Sequence, residues 1–308
     1  MNHARSFCAL AAAFLGTAAQ AQMLMAPDVL TDRVLLFSGW DGHLVDADFI
    51  TNAQTGATMN YVQEVLVVGN EIWASESISD RIYRFTLDGR DLNSTIVGGT
   101  FQNPIDGPHG MAFLNGIVFT ACSSTAKHGG ADWVARVSPS AGRATSTFST
   151  TPNSLSDLVT DGANLLASNY DESAVDLYSP SGVRLQRIVT GEFGTGMTFP
   201  QQVLRRANGN ILVASGKGLY EYTGTGQLLD AWLNDTFTNV RGVAELRNGN
   251  YLVTSAGGVK AINPATDEIT LVYASNSVGY LNILPQARPT ESAQTQNREP
   301  DSVARHPR

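Results

Sequence analysis

The sequence predicts an all-β fold, a ring of six four-stranded antiparallel sheets that the two chain ends close together. Three observations carry this. The stretch Asp32-Arg33-Val34-Leu35-Leu36-Phe37 recurs 48 residues later as Asp80-Arg81-Ile82-Tyr83-Arg84-Phe85. Gly- and Asn-rich turns precede short apolar strands that end in a small residue, and these ends (Ser75, Ala121, Ser168, Ser215 and Ser255) are spaced by 46, 47, 47 and 40 residues. The N-terminal region lacks an innermost strand, and the C-terminal region supplies little else. A unit repeating on this scale buries its apolar face only by stacking on copies of itself. Four antiparallel strands per unit make one blade of a β-propeller, so the chain reads as a six-bladed propeller.

The elements follow in order. Residues 1–21 carry a basic Arg5, an apolar run from Phe7 to Ala19 and the small-x-small site Ala19-Gln20-Ala21. That pattern predicts a secretory signal peptide and a secreted or periplasmic protein, and Cys8 lacks the small-residue context of a lipoprotein cleavage site. Residues 22–285 are the propeller. Met23–Ala26, Asp32–Phe37 and Leu44–Ile50 read as the second, third and fourth strands of a blade whose innermost strand is missing.

Five full copies come next. Their inner strands are "VQEVLVV", "HGMAFL", "SDLVT", "QQVLR" and "RGVAEL". Turns such as Asn115-Gly116, Asn208-Gly209-Asn210 and Asn248-Gly249-Asn250 suit tight hairpins, because their central residues must tolerate positive φ. The second strands are "IWAS", "VFTA", "LLAS", "LVAS" and "LVTS", and alternating third strands such as "RIYRF" and "WVARV" follow. Gly279–Leu284 supplies the missing inner strand. Closing the ring this way leaves only short sheet edges. Residues 286–308 lose all periodicity and predict a disordered tail.

The chain carries a net charge of −8 and only three lysines, and the predicted leader and tail hold five of its arginines. An acidic surface of this kind argues against nucleic acid as a partner. No stretch reaches the roughly 20 apolar residues of a membrane span. Removing the leader leaves one cysteine, Cys122, so no internal disulfide can form.

The "DRVLLF"-type third strands and "NGNILVAS"-type hairpins resemble those of exported six-bladed propellers of the NHL-repeat and gluconolactonase-like superfamily, across the whole of residues 22–285. The motifs concerned specify turns and packing. The resemblance implies a tunnel-mouth site and, in gluconolactonase-like enzymes, a Glu/Asn/Asp set around a divalent metal. That family places its glutamate early on an inner strand, where this chain offers only Glu64. The paired histidines and glutamate of virginiamycin-lyase-like propellers have no counterpart among His43, His109 and His128.

In an antiparallel blade the start of the inner strand and the end of the second strand share one face, around the tunnel mouth. The inner strands start at Gln63, His109, Ser156 with Asp157, Gln201 with Gln202, Arg241 and Tyr280, polar in every blade. Gln63, His109, Asp157, Gln201, Arg241 and Tyr280 are therefore the expected ligand-binding residues, for a small molecule, glycan or protein partner. The alternative is a solvated tunnel lining. Asp28, Glu76 and Asn169 sit at equivalent second-strand ends and offer oxygen ligands to Ca²⁺ or Mg²⁺. With His109 as acid/base they would make a metal-dependent hydrolase or lactonase; otherwise they cap strand ends. His109 and Cys122 are also neighbours at strand ends, a nucleophile pair or a small buried thiol. The longer loops at 98–108 and 123–132, the latter with Lys127 and His128, face the same mouth. Trp40, Trp73, Trp133 and Trp232 read as packing between blades. No phosphate-binding glycine loop, zinc-ligand spacing or nucleophile elbow is present.

Overall fold

A computed structural model describes residues 22–285 except 124–131, 151–153, 192–195 and 234–237. The predicted leader, the tail, and Lys127 with His128 lie outside the described residues.

Strand pairing follows the repeat. Six four-stranded antiparallel sheets account for the strands, and we number the blades in chain order. Blade 1 is composite: Asn282–Leu284 pairs with Met23–Asp28, which pairs with Arg33–Ser38 and then Leu44–Thr51. The closing register sets Met23 opposite Leu284, Leu24 opposite Ile283 and Met25 opposite Asn282, with a further bridge between Asp28 and Val278. The inner strands of blades 2 to 6 are Val62–Val68, Pro108–Leu114, Leu155–Asp161, Pro200–Arg205 and Gly242–Glu245.

Each gap between neighbouring blades is filled by one apolar cluster. Met25, Val34 and Ile50 of blade 1 meet Val62, Ile72 and Phe85 of blade 2, and so on around the ring. The last gap closes where Leu24, Leu35 and Phe37 meet Leu252 and Val259 of blade 6. Period-2 alternation gives each strand two apolar faces to offer, one to each neighbour. Trp73, Trp133 and Trp232 pack in such gaps. Trp40 does not. It is 61% exposed, because it lies in the turn after Arg33–Ser38, where Ser38 Oγ accepts its backbone N–H at 3.2 Å.

Candidate functional site

Each inner strand of blades 2 to 5 starts with an irregularity. The pairing shifts between Val62 and Glu64, between Pro108 and Met111, between Leu155 and Asp157, and between Pro200 and Val203. A β-bulge leaves one residue unpaired and re-aims its side chain. The residues in these bulges include Gln63, His109, Ser156 and Gln201. Two positions before the mouth residue, Tyr61, Gly107, Phe199 and Asn239 all take positive φ, which bends the chain into the inner strand.

These bulges, with Arg241 of blade 6 and Tyr280 of blade 1, bring one polar side chain from every blade to a single cavity of about 380 Å³. Tyr61, Ser123, Ser154, Tyr170 and Asn239 complete its wall. Five of the six residues expected to bind a ligand line it: Gln63, His109, Gln201, Arg241 and Tyr280. Asp157 is the exception. Its neighbour Ser156 occupies the bulge and faces the mouth, so Asp157 turns to the opposite side of the strand and lines the other chamber.

Tyr280 forms the floor. It is 3% exposed, and its hydroxyl donates to the Ser156 carbonyl at 3.1 Å and lies 3.3 Å from Gln201 Oε1. Burial, together with the charges of Asp157 and Glu64 beneath, pushes the phenol well above its ordinary value. His109 has no polar partner for its ring among the described residues, and burial lowers its pKa to about 4. At neutral pH it is an uncharged imidazole.

Below Tyr280 lies a buried polar layer that sequence reasoning missed. Glu64 accepts the Met111 N–H of blade 3 and, through Oε1, the Asn282 amide at 2.7 Å. Asp157 accepts the Val203 N–H of blade 5 at 3.0 Å. Gln202 accepts the N–H groups of Val243 and Leu281 at 2.9 and 3.0 Å and donates to Leu281 O at 2.8 Å. Backbone donors at the strand starts are thus satisfied by a side chain from another blade, as buried N–H groups require. Where the layer has glycine, backbones touch instead: a Cβ on Gly110 would stand 2.4 Å from Asp157 Cα. Burial raises the Asp157 pKa to about 7, and burial with the Asp157 charge holds Glu64 well above the carboxylate range. The signal available in the sequence was the pairing of two polar residues at consecutive positions, Gln63-Glu64, Ser156-Asp157 and Gln201-Gln202. One of each pair faces the mouth and the other ties the ring.

The comparisons with known proteins agree with this architecture. No protein family matches the chain, and no curated protein does. Among solved structures, a chain of a nidogen/laminin complex superposes with a TM-score of 0.64 at 13% identity, covering 86% of this chain and 98% of its own. A Bacteroides caccae protein of unknown function gives 0.59 at 15% identity, covering 86% and 100%. A catalytically inactive virginiamycin B lyase from Staphylococcus aureus with quinupristin gives 0.56 at 12%, covering 83% and 86%. The likeness is one of fold.

The expected metal ligands are engaged locally. Asp28 accepts hydrogen bonds from Ser277 and, at 3.4 Å, Ser275, clamping the segment that leads into the closing strand. Glu76 Oε1 accepts the N–H groups of Ile78 and Ser79 at 2.9 and 3.0 Å, capping its own turn. Asn169 donates to Asp176 at 3.0 Å and accepts from the Glu172 N–H. Among the described residues no three His, Cys, Asp or Glu side chains group as metal ligands. Cys122 packs in the apolar gap between blades 2 and 3, and burial pushes its thiol up to about 12, the reverse of what a nucleophile needs. The loop at 98–108 is tied to blade 2, with the Gly107 N–H donating to Asp80 at 2.8 Å.

The opposite end of the tunnel opens into a larger chamber of about 730 Å³. Apolar residues such as Leu24, Leu66, Val159, Leu204 and Ile283 line much of it. Of its arginines, Arg205 and Arg206 are paired with Asp161, Glu221 and Glu245.

Proposed function

We propose that the chain is a binding protein that holds a small polar ligand in the cavity at the Tyr280 mouth of its tunnel. One observation carries the reading: six polar side chains, one from each blade, converge on a cavity closed beneath by Tyr280. Its volume lies toward the low end of ligand-sized cavities, about 300–1,000 Å³, and a concave site of that size favours a small molecule over a flat protein interface. Two similar folds are described in complexes, one in a nidogen/laminin complex and one with quinupristin, so the scaffold serves both kinds of recognition. On the strength of its leader, the protein would meet this ligand after export.

In the metal-dependent hydrolase alternative, Asp28, Glu76 Oε1 and Asn169 would have to give up hydrogen bonds to nearby backbone or side chains, while Glu76 Oε2 has no described partner. The test is a thermal-shift screen of the full chain against small molecules and short glycans, with EDTA, Ca²⁺ and Mg²⁺ as separate conditions. Ligands that stabilise the protein should lose their effect in Gln201→Leu and Gln63→Leu. Hits unaffected by both variants would defeat the mouth reading. Stabilisation by a single cation that Glu76→Ala abolishes would favour the hydrolase.

A further inference from the structure

Among the described lining residues, Arg241 is the one charged side chain of the mouth cavity at neutral pH. It also lacks the carboxylate partner that many arginines of this acidic chain have. Arg33, Arg84, Arg187, Arg205 and Arg206 each have a carboxylate within 4 Å. Arg241 has none among the described residues, and its guanidinium makes no hydrogen bond to any of them, although it is partly shielded inside the cavity. Glu64 and Asp157 lie in the layer beneath Tyr280, and Asp171 accepts the Ser154 N–H at 3.1 Å; none of the three lines the cavity.

The surrounding groups reinforce this polarity. Gln201 turns its oxygen toward the Tyr280 hydroxyl, which leaves its amide N–H groups without a described partner. The other components of the wall are hydroxyls, amides and a neutral imidazole, none of which repels an anion. A partly desolvated guanidinium with no counter-ion among the described residues favours a planar oxyanion, which it grips through two parallel N–H groups. Tyr61 and Tyr170 supply flat apolar surface on the same wall. Tyr61 does so from a left-handed backbone, φ 66°, at the position where blades 3, 5 and 6 place Gly107, Phe199 and Asn239. A bulky residue in that conformation is held there at some cost, and such outliers concentrate at binding sites.

We infer that the ligand of the mouth is a small organic carboxylate, with its carboxylate seated on Arg241 and its body against the tyrosine rings. This rests on the reading of the mouth as a ligand site and specifies the chemistry it takes.

The experiment uses near-isosteric pairs in which an acceptor-only, charged carboxylate is replaced by a neutral amide: benzoate and benzamide, phenylacetate and phenylacetamide, nicotinate and nicotinamide. Binding to the full chain at pH 7 is measured by ligand-observed NMR titration. Carboxylates should bind at least about tenfold more tightly than their amides, as expected for one charge-assisted hydrogen-bonded pair. Arg241→Gln, which loses no described side-chain contact and should melt like the parent, should erase that preference. Arg241→Lys, which keeps the charge and loses the fork, should retain part of it. The inference is overturned if amides bind as well as carboxylates, if the preference survives Arg241→Gln, or if no carboxylate binds. Equal binding of both kinds that Gln201→Leu abolishes would remove the carboxylate inference and leave the mouth reading standing.

Discussion

The hydroxyl of Tyr280 reaches across the propeller axis to donate to the carbonyl of Ser156, 3.1 Å away. Tyr280 belongs to blade 1 and Ser156 to blade 4, on opposite sides of a six-membered ring. One side chain from the last segment of the chain therefore both floors the cavity and braces it. Tyr280→Phe leaves a buried carbonyl without this donor and should cost about 1–2 kcal/mol of stability. Urea denaturation measures it, and an unchanged midpoint would show that the brace contributes nothing.

Closure of the ring depends on three residues, Asn282–Leu284, pairing with Met23–Asp28. A chain ending at Val278 loses that strand, the Tyr280 brace, and Leu284 from the gap between blades 1 and 2. It should lose its cooperative melting transition, read by far-ultraviolet circular dichroism. A fragment that melts cooperatively near the parent temperature would contradict the closure.

The buried carboxyl layer predicts a pH dependence with a definite sign. The folded pKa of Asp157 is raised from 3.8 to about 7, so the folded state holds a proton that the unfolded chain has released. That contribution to stability is complete below the unfolded value, near pH 4, and is lost as pH rises through 7. Asp157→Asn keeps an acceptor for the Val203 N–H and removes the charge. It should reduce the decline between pH 4 and 8, the remainder coming from Glu64, and gain roughly 2–4 kcal/mol at pH 8. Denaturant midpoints across pH decide this; a variant as pH-sensitive as the parent refutes it.

Gly110 has no room for a side chain, since an added Cβ would sit 2.4 Å from Asp157 Cα and 2.7 Å from Ser156 O. These are backbone atoms of the next inner strand and cannot move aside. Gly110→Ala should destabilise by about 3 kcal/mol or more, at the upper end of overpacking costs. Thermal melting of this variant checks the close contact of blades 3 and 4.

Cys122, buried with a thiol raised to about 12, should resist a thiol reagent at pH 8 in the folded protein and react at once in denaturant. Rapid labelling of the native state would place it at an accessible, activated position instead.

Much of this molecule was legible in its residues. The recurrence of Asp32–Phe37 at Asp80–Phe85, the Asn-Gly turns and the small residues at Ser75, Ser168, Ser215 and Ser255 located the blades, because a local repeat is written in local sequence. The split blade was legible too, since Met23–Asp28 lacked a partner that Asn282–Leu284 supplied. The polarity of the inner-strand starts marked the mouth. Asp157 and Trp40 went astray because alternation says that neighbouring residues face opposite ways without saying which way. A bulge beside Ser156 shifts that phase, and a turn at Ser38 ends it.

By itself, then, the order of residues determined the all-β ring and its six-fold division, through turn chemistry and period-2 alternation that act within a few residues. Only the tertiary structure decided that Ser156 and Asp157 serve different layers, that Asp28 clamps the closing segment, and that Arg241 stands in the cavity without a carboxylate among the described residues. Each of those depends on groups from separate blades meeting at the axis, where packing sets both their distances and their charges.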